Sequence, residues 1–262
     1  MDRPHSDIVI PEEPPIPAQS VRLPARGFTI DRHKALLAAL VCWAGWGTMV
    51  ALVLHKRTGG LDSGGLLWFR GGADFHARGA GWLVEAIRDV TALGGVVLST
   101  LATIAAVVAL LFLKLRREAV LFAGTVLLGW GVNSAMKALV GRDRPTLVPH
   151  LTDASGMSFP SGHSFASAMI YIGMALAFAS MSQRHSVRYT LVGTAVVLSA
   201  LIAWSRVLLG VHYPSDVIAG WLGGAGWAFL AAALLYKPAR AAADSEAADT
   251  LDPTEHRSQV GQ

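Results

Sequence analysis

Six stretches of this chain carry no Asp, Glu, Lys or Arg: residues 35–54, 90–113, 119–136, 164–183, 189–205 and 217–236. They run from 17 to 24 residues, and about 20 apolar residues cross the hydrocarbon core of a bilayer as a helix. Lipid offers a backbone no hydrogen-bond partners, so a continuous apolar run of this length is stable there as an α-helix. Only 15% of the chain is charged, against about 25% in a soluble domain. Six such helices in a soluble bundle would lack the polar faces that water requires. The expected fold is all-α, an integral membrane bundle of six transmembrane helices over residues 35–236.

The flanking segments read differently. Residues 1–34 hold Pro11, Pro14, Pro15 and Pro17, which favour extended chain, and read as a disordered tail. The first apolar run is too long for a signal peptide and reads as a retained anchor. Residues 237–262 read as a second disordered tail. The 55–89 link is cut by glycines and places Leu66-Leu67-Trp68-Phe69 at headgroup level. Glu85 to Asp89 forms an amphipathic lead into the second span. This link reads either as an interfacial connector or as a lipid-entry gate. Cys42, the single cysteine, lies in the first span and excludes an intramolecular disulfide. Gly220 and Gly224 read as close helix packing, and the tryptophans as belt or packing residues.

The formal charge of +4 does not signal nucleic acid, because the cations cluster at span ends as topology and anionic headgroups demand. The expected partners are the bilayer and a membrane lipid. With Lys137, Arg144 and Arg206 set aside, eleven Lys and Arg fall on the face of the two tails and six on the other. Excess positive charge stays inside, so both tails are expected in the cytoplasm.

Counting also fixes a shared face. Lys137 ends the third span, His163 opens the fourth, Arg206 ends the fifth and Asp216 opens the sixth. A chain that crosses alternately sets all four on one side of the bilayer. Three clusters meet there: Lys137-x6-Arg144-Pro145, Pro160-Ser161-Gly162-His163 and Ser205-Arg206-x5-His212-x3-Asp216.

Each cluster suits a phosphoryl group. Lys137, Arg144 and Arg206 can clamp its non-bridging oxygens, arginine with a planar fork and lysine as a point charge. Arg142 fits better as an interfacial cation reaching for headgroups. Pro160 suits a first helical turn and Gly162 permits close backbone approach, while N–H groups at a helix start attract anions. The Ser161 hydroxyl adds a donor. A carboxylate that accepts one imidazole N–H fixes the tautomer and frees the other nitrogen to attack. His212 is thus the candidate nucleophile, forming a phosphohistidine, with Asp216 as its orienting partner. His163 is the candidate acid for the departing oxygen and then the base for water. Two histidines and an aspartate can also hold iron or zinc. Three adjacent cations oppose a divalent ion, so neither metal nor cofactor is expected.

On these residues the chain resembles the type 2 phosphatidic acid phosphatase superfamily, which shares its site pattern with the vanadium haloperoxidases. That pattern is Lys-x6-Arg-Pro, Pro-Ser-Gly-His and Ser-Arg-x5-His-x3-Asp, matched at every position between Lys137 and Asp216. The resemblance implies a six-helix membrane fold, metal-independent phosphate hydrolysis and an outward-facing site with the roles just given. The soluble haloperoxidase branch fits poorly with six membrane spans. The expected protein is a lipid-phosphate phosphatase of a bacterial inner membrane, with its site on the outer, periplasmic or extracellular, face. Undecaprenyl diphosphate ranks slightly ahead of phosphatidic acid and phosphatidylglycerol phosphate as substrate. A lipid phosphotransferase would share the whole site and differ only in its acceptor. A lipid transporter or binding protein with a relict site would keep its function after His212→Ala.

Overall fold

The computed structural model describes residues 31–235 except 180, 181 and 183. The tails expected over 1–34 and 237–262 lie outside the described residues, except that helix already starts at Arg32. There Asp31 Oδ1 accepts from the N–H groups of His33 (3.0 Å) and Lys34 (3.3 Å), and this capping sets the helix start.

The chain runs α1 (Arg32–Leu54), α2 (Gly59–Trp68), a two-residue hairpin of β1 (Arg70–Gly71) and β2 (His76–Ala77), α3 (Gly81–Ala92), α4 (Val96–Phe112) and α5 (Arg116–Val140). It continues through α6 (Gly162–Ser167), a π-helical turn (Ala168–Ile172) and α7 (Gly173–Ala179), which stack as one rod, then α8 (His185–Leu208) and α9 (Pro214–Leu235). Among the described residues five helices are long and apolar enough to cross a membrane, and α3 with α4, bent by 48°, can form the sixth. Large apolar side chains such as Leu40, Val97, Phe112, Leu128 and Val197 point outward, as a lipid-facing surface requires. The protein is an integral membrane helical bundle.

The expected second span, 90–113, is not one straight helix. It breaks at Leu93-Gly94-Gly95, where α3, packed on α8, also comes up against the rod that carries His163. A Cβ on Gly94 would collide with Ile202 Cγ2 and lie 3.3 Å from the His163 carbonyl oxygen, and one on Gly95 would lie 3.7 Å from His163 Nε2. Glycine allows that approach. The Leu93 carbonyl, left without its helical partner by the break, accepts from the Tyr171 hydroxyl at 2.8 Å. Tyr171 itself sits in the π-helical turn.

Helix α9 is central and touches α1, α2, α5, α6 and α8. In lipid no hydrophobic effect drives helices together, so close fit decides the packing. Gly220 and Gly224 provide it. A Cβ at Gly220 would lie 2.5 Å from the Ser161 carbonyl oxygen, and one at Gly224 would collide with the Phe165 carbonyl. Trp43 stacks on Trp227 at 6.3 Å between ring centroids, while the Trp221 and Trp227 N–H groups donate to Ser199 Oγ and Thr125 O. These tryptophans are packing residues.

The 55–89 segment is not a loose connector. Helix α2 docks on α8 and α9, with Leu66 fully buried in a cluster with Val148, Ala203, Val207 and Val217. Leu61, Leu67 and Trp68 remain exposed on its other side. The buried Arg70 guanidinium donates to Leu208 O (2.9 Å) and Pro149 O (3.5 Å), tying this segment to the chain on either side of the site.

Candidate active site

The three clusters meet at one end of the bundle. Helix α5 stops at Gly141, whose left-handed φ of 60° lets its N–H cap the Lys137 carbonyl. The following loop swings Arg144 toward the start of α9. Arg144 is held by backbone carbonyls, donating to Ser155 O (2.6 Å), Gly156 O (3.0 Å) and Val211 O (2.9 Å). Its Nη1 also reaches His212 Nε2 at 3.1 Å.

His212 lies in the short turn between α8 and α9 and is 2% exposed. Its Nδ1 faces Ser158 Oγ at 3.3 Å and Asp216 Oδ2 at 3.5 Å. Ser158 in turn donates to Asp216 Oδ2. Burial, partly offset by Asp216, pushes the imidazole down to about 4, so it is neutral at physiological pH. Asp216 is fully buried. It also accepts from the Tyr213 N–H at 2.9 Å, as an acidic third helical residue does when it reaches back to the residue before the helix.

Ser161 precedes α6 and caps it, accepting from the Ser164 N–H (3.5 Å) and hydroxyl (2.9 Å). Its own N–H is spent on the Asp216 carbonyl at 3.0 Å, so it is not among the free donors expected of this turn. The N–H groups of Gly162 and His163 remain as the first-turn donors without an intrahelical acceptor. A Cβ at Gly162 would touch the Lys137 stem at 3.7 Å, so Lys137 flanks this turn while donating to Met157 O at 2.7 Å. His163 is within electrostatic reach of Lys137, Arg144, Arg206 and His212. Arg206 is 4% exposed and donates to Thr91 Oγ1 at 2.9 Å; its Nε has no partner among the described residues. All eight residues named from the sequence, His212, His163, Asp216, Lys137, Arg144, Ser161, Gly162 and Arg206, therefore converge.

Arg142 departs from the sequence reading. It is no headgroup cation: Nη1 donates to Asp216 Oδ1 and Ser215 Oγ, Nη2 to Asp62 Oδ2, each at 2.7 Å. Its guanidinium lies 4.1 Å above the Tyr213 ring. Two carboxylates outcompete lipid headgroups for it. The sequence reading also passed over Asp62, Thr91 and Ser158. For Asp62 a signal existed, since it is the one charged residue in Gly59–Trp68 and a lone carboxylate among apolar neighbours needs a partner.

A phosphoryl group at this place would meet three fixed cations and an imidazole nitrogen whose lone pair faces Arg144. Among the described residues no three His, Cys, Asp or Glu side chains group as a metal site would.

Residues 118–240 match the family model described as PAP2 superfamily. The chain is 36% identical over 93 residues to phosphatidylglycerophosphatase B of Bacillus subtilis, 34% of this chain and 44% of the relative. It is 34% identical over 127 residues to lipid A 1-phosphatase of Rhizobium etli, 45% and 50% of the two chains. The chain thus spans about half the length of these two relatives. With decaprenylphosphoryl-5-phosphoribose phosphatase of Mycobacterium tuberculosis it shares 29% identity over 175 residues, 65% of this chain and 81% of the relative. A transmembrane PAP2-type phosphatidylglycerolphosphate phosphatase from Bacillus subtilis has the same fold, with a TM-score of 0.62 over 76% of this chain and 94% of the other at 22% identity.

Proposed function

We propose, from the match of residues 118–240 to the PAP2 superfamily model, that the chain is a membrane lipid-phosphate phosphatase working through a phosphohistidine. The observation that carries this reading is the two-sided hold on His212, with Nδ1 toward Asp216 and Nε2 beside Arg144. His212 Nε2 attacks phosphorus as the bond to the leaving oxygen breaks, and His163 gives that oxygen its proton. A water then loses a proton to His163 while its oxygen attacks phosphorus. The N–P bond breaks, releasing inorganic phosphate and neutral His212. Lys137, Arg144, Arg206 and the first-turn N–H groups neutralise the negative charge on the phosphoryl oxygens, as a divalent ion does in other phosphoryl-transfer sites. Hydrolysis is accordingly metal-independent.

The substrate reading favours a polyprenyl phosphate or diphosphate, such as undecaprenyl diphosphate, ahead of phosphatidic acid or phosphatidylglycerol phosphate. In its support, the decaprenylphosphoryl relative aligns over more of both chains than the other two. The site opens on the outer face of the inner membrane. Of the six non-cluster cations on that face, Arg70 is buried and Arg142 is paired with carboxylates. The count of all non-cluster cations, eleven on the face of the tails against six on this one, supports that orientation.

The test is phosphate release by the purified protein in detergent with EDTA, from undecaprenyl diphosphate and phosphatidic acid in parallel. Release should survive EDTA, vanish in His212→Ala and run faster with the polyprenyl substrate. Release abolished by EDTA would overturn the metal-free clamp, and faster release from phosphatidic acid would overturn the substrate order.

A further inference from the structure

We infer that Asp62, on the surface helix α2, is a positioning residue for the catalytic pair His212 and Asp216, acting through Arg142 and the first turn of α9. The inference rests on the phosphatase reading above and adds to it a residue outside the motif region.

Three observations carry it. Asp62 is 2% exposed, and a buried carboxylate is retained only where it is fully partnered. Its partners all belong to the site: Arg142 Nη2 at 2.7 Å, Ser215 Oγ at 2.9 Å and the Ser215 N–H at 3.0 Å. Ser215 is the second residue of α9, and Tyr213, just before the helix, has no side-chain oxygen placed to cap it. Asp62 therefore supplies from another helix the carboxylate that normally caps a helix start.

Arg142 completes the link. Its fork spans Asp62 Oδ2 and Asp216 Oδ1, at 2.7 Å each. A single carboxylate would leave the whole guanidinium charge on Asp216. Sharing it with Asp62 leaves Asp216 more negative toward His212, which becomes cationic when it takes the phosphoryl group. Asp62 thus fixes the Asp216 position and preserves its field. Arg144 in the loop after α5, His163 on α6, Arg206 on α8 and Asp216 on α9 are the charged or titratable groups that act on His212, with Lys137 on α5 coupled to Arg144 and Asp216, and none of them is altered in the test.

The test compares the full chain in detergent with Asp62→Asn and with the double variant Asp62→Asn/Arg142→Met. The His212 titration is followed by nitrogen-15 imidazole NMR, its signal identified by its absence in His212→Gln, alongside kcat and KM for phosphate release. Asp62→Asn should lower the His212 midpoint and lower kcat roughly tenfold with little change in KM, as loss of an orienting partner does. Removing Arg142 as well should return the midpoint toward wild type, which repair of a folding defect would not do. An unchanged midpoint in Asp62→Asn, with or without a lower melting temperature, overturns the inference. Wild-type protein that releases no phosphate, yet shows the shift and its reversal, overturns the phosphatase reading while the link from Asp62 to His212 stands.

Discussion

Arg144 Nη1 lies 3.1 Å from His212 Nε2. A guanidinium can only donate, so Nε2 must be the nitrogen that carries the lone pair. The proton then sits on Nδ1, the side of Asp216 and Ser158. Two contacts from opposite sides select one tautomer, and it is the one that leaves an attacking nitrogen beside a cation.

Arg144→Lys should therefore be far from conservative. The ammonium keeps the charge but cannot span three backbone carbonyls and His212 together. Expected is a loss of about a hundredfold in kcat/KM, with the melting temperature nearly unchanged. Steady-state phosphate release at pH 7 reads it directly; a loss below threefold would mean charge alone suffices.

The acid limb of activity should lie low. His212 must be neutral to attack, and burial holds its folded value at about 4. Activity is thus retained as pH falls through the ordinary histidine range and lost only near that value. kcat/KM reports the free enzyme, so its profile between pH 3.5 and 7 is the measurement. An acid limb above pH 6 would show that His212 is not held as the structure has it. Asp216→Asn removes the influence that raises the imidazole and should move the limb lower while reducing kcat.

Ser158→Ala tests the hydroxyl between the two catalytic groups. Ser158 is fully buried and bonds Asp216 while lying 3.3 Å from His212 Nδ1. Its loss leaves the carboxylate short of a donor, a cost of about 1–3 kcal/mol. A roughly tenfold fall in kcat with unchanged KM is expected.

Gly220→Ala and Gly224→Ala separate packing from chemistry. Each adds one methyl group between α9 and α6, against the Ser161 or Phe165 carbonyl. Overpacking of this kind costs about 1–3 kcal/mol, so thermal melting in detergent should fall for both. Gly220→Ala should also reduce turnover, because it displaces Ser161, whose N–H is bonded to Asp216.

Much of this was legible in the sequence, for reasons particular to membrane proteins. The spans are written as absences of charge, and alternation then places Lys137, His163, Arg206 and Asp216 on one side without further information. What failed to show has the opposite character. Arg142 meets Asp62 across 80 residues of sequence, and Arg206 meets Thr91 across 115. Neither pair has a spacing that could announce it. The break at Leu93 was hidden because a charge-free run does not reveal where its helix changes direction. Gly94 and Gly95 marked the place, but only the nearness of Ile202 and His163 gives them their purpose.

The Tyr171 hydroxyl joins two defects. One rod carries an extra residue in its winding and the neighbouring span is snapped at Leu93, and each irregularity satisfies the other. They form a matched pair of faults, so neither can be repaired alone. A straightened α3–α4 would withdraw the acceptor, and a rod wound regularly would turn Tyr171 away. A designer who idealised either helix would gain regularity there and lose the wall on which His163 rests.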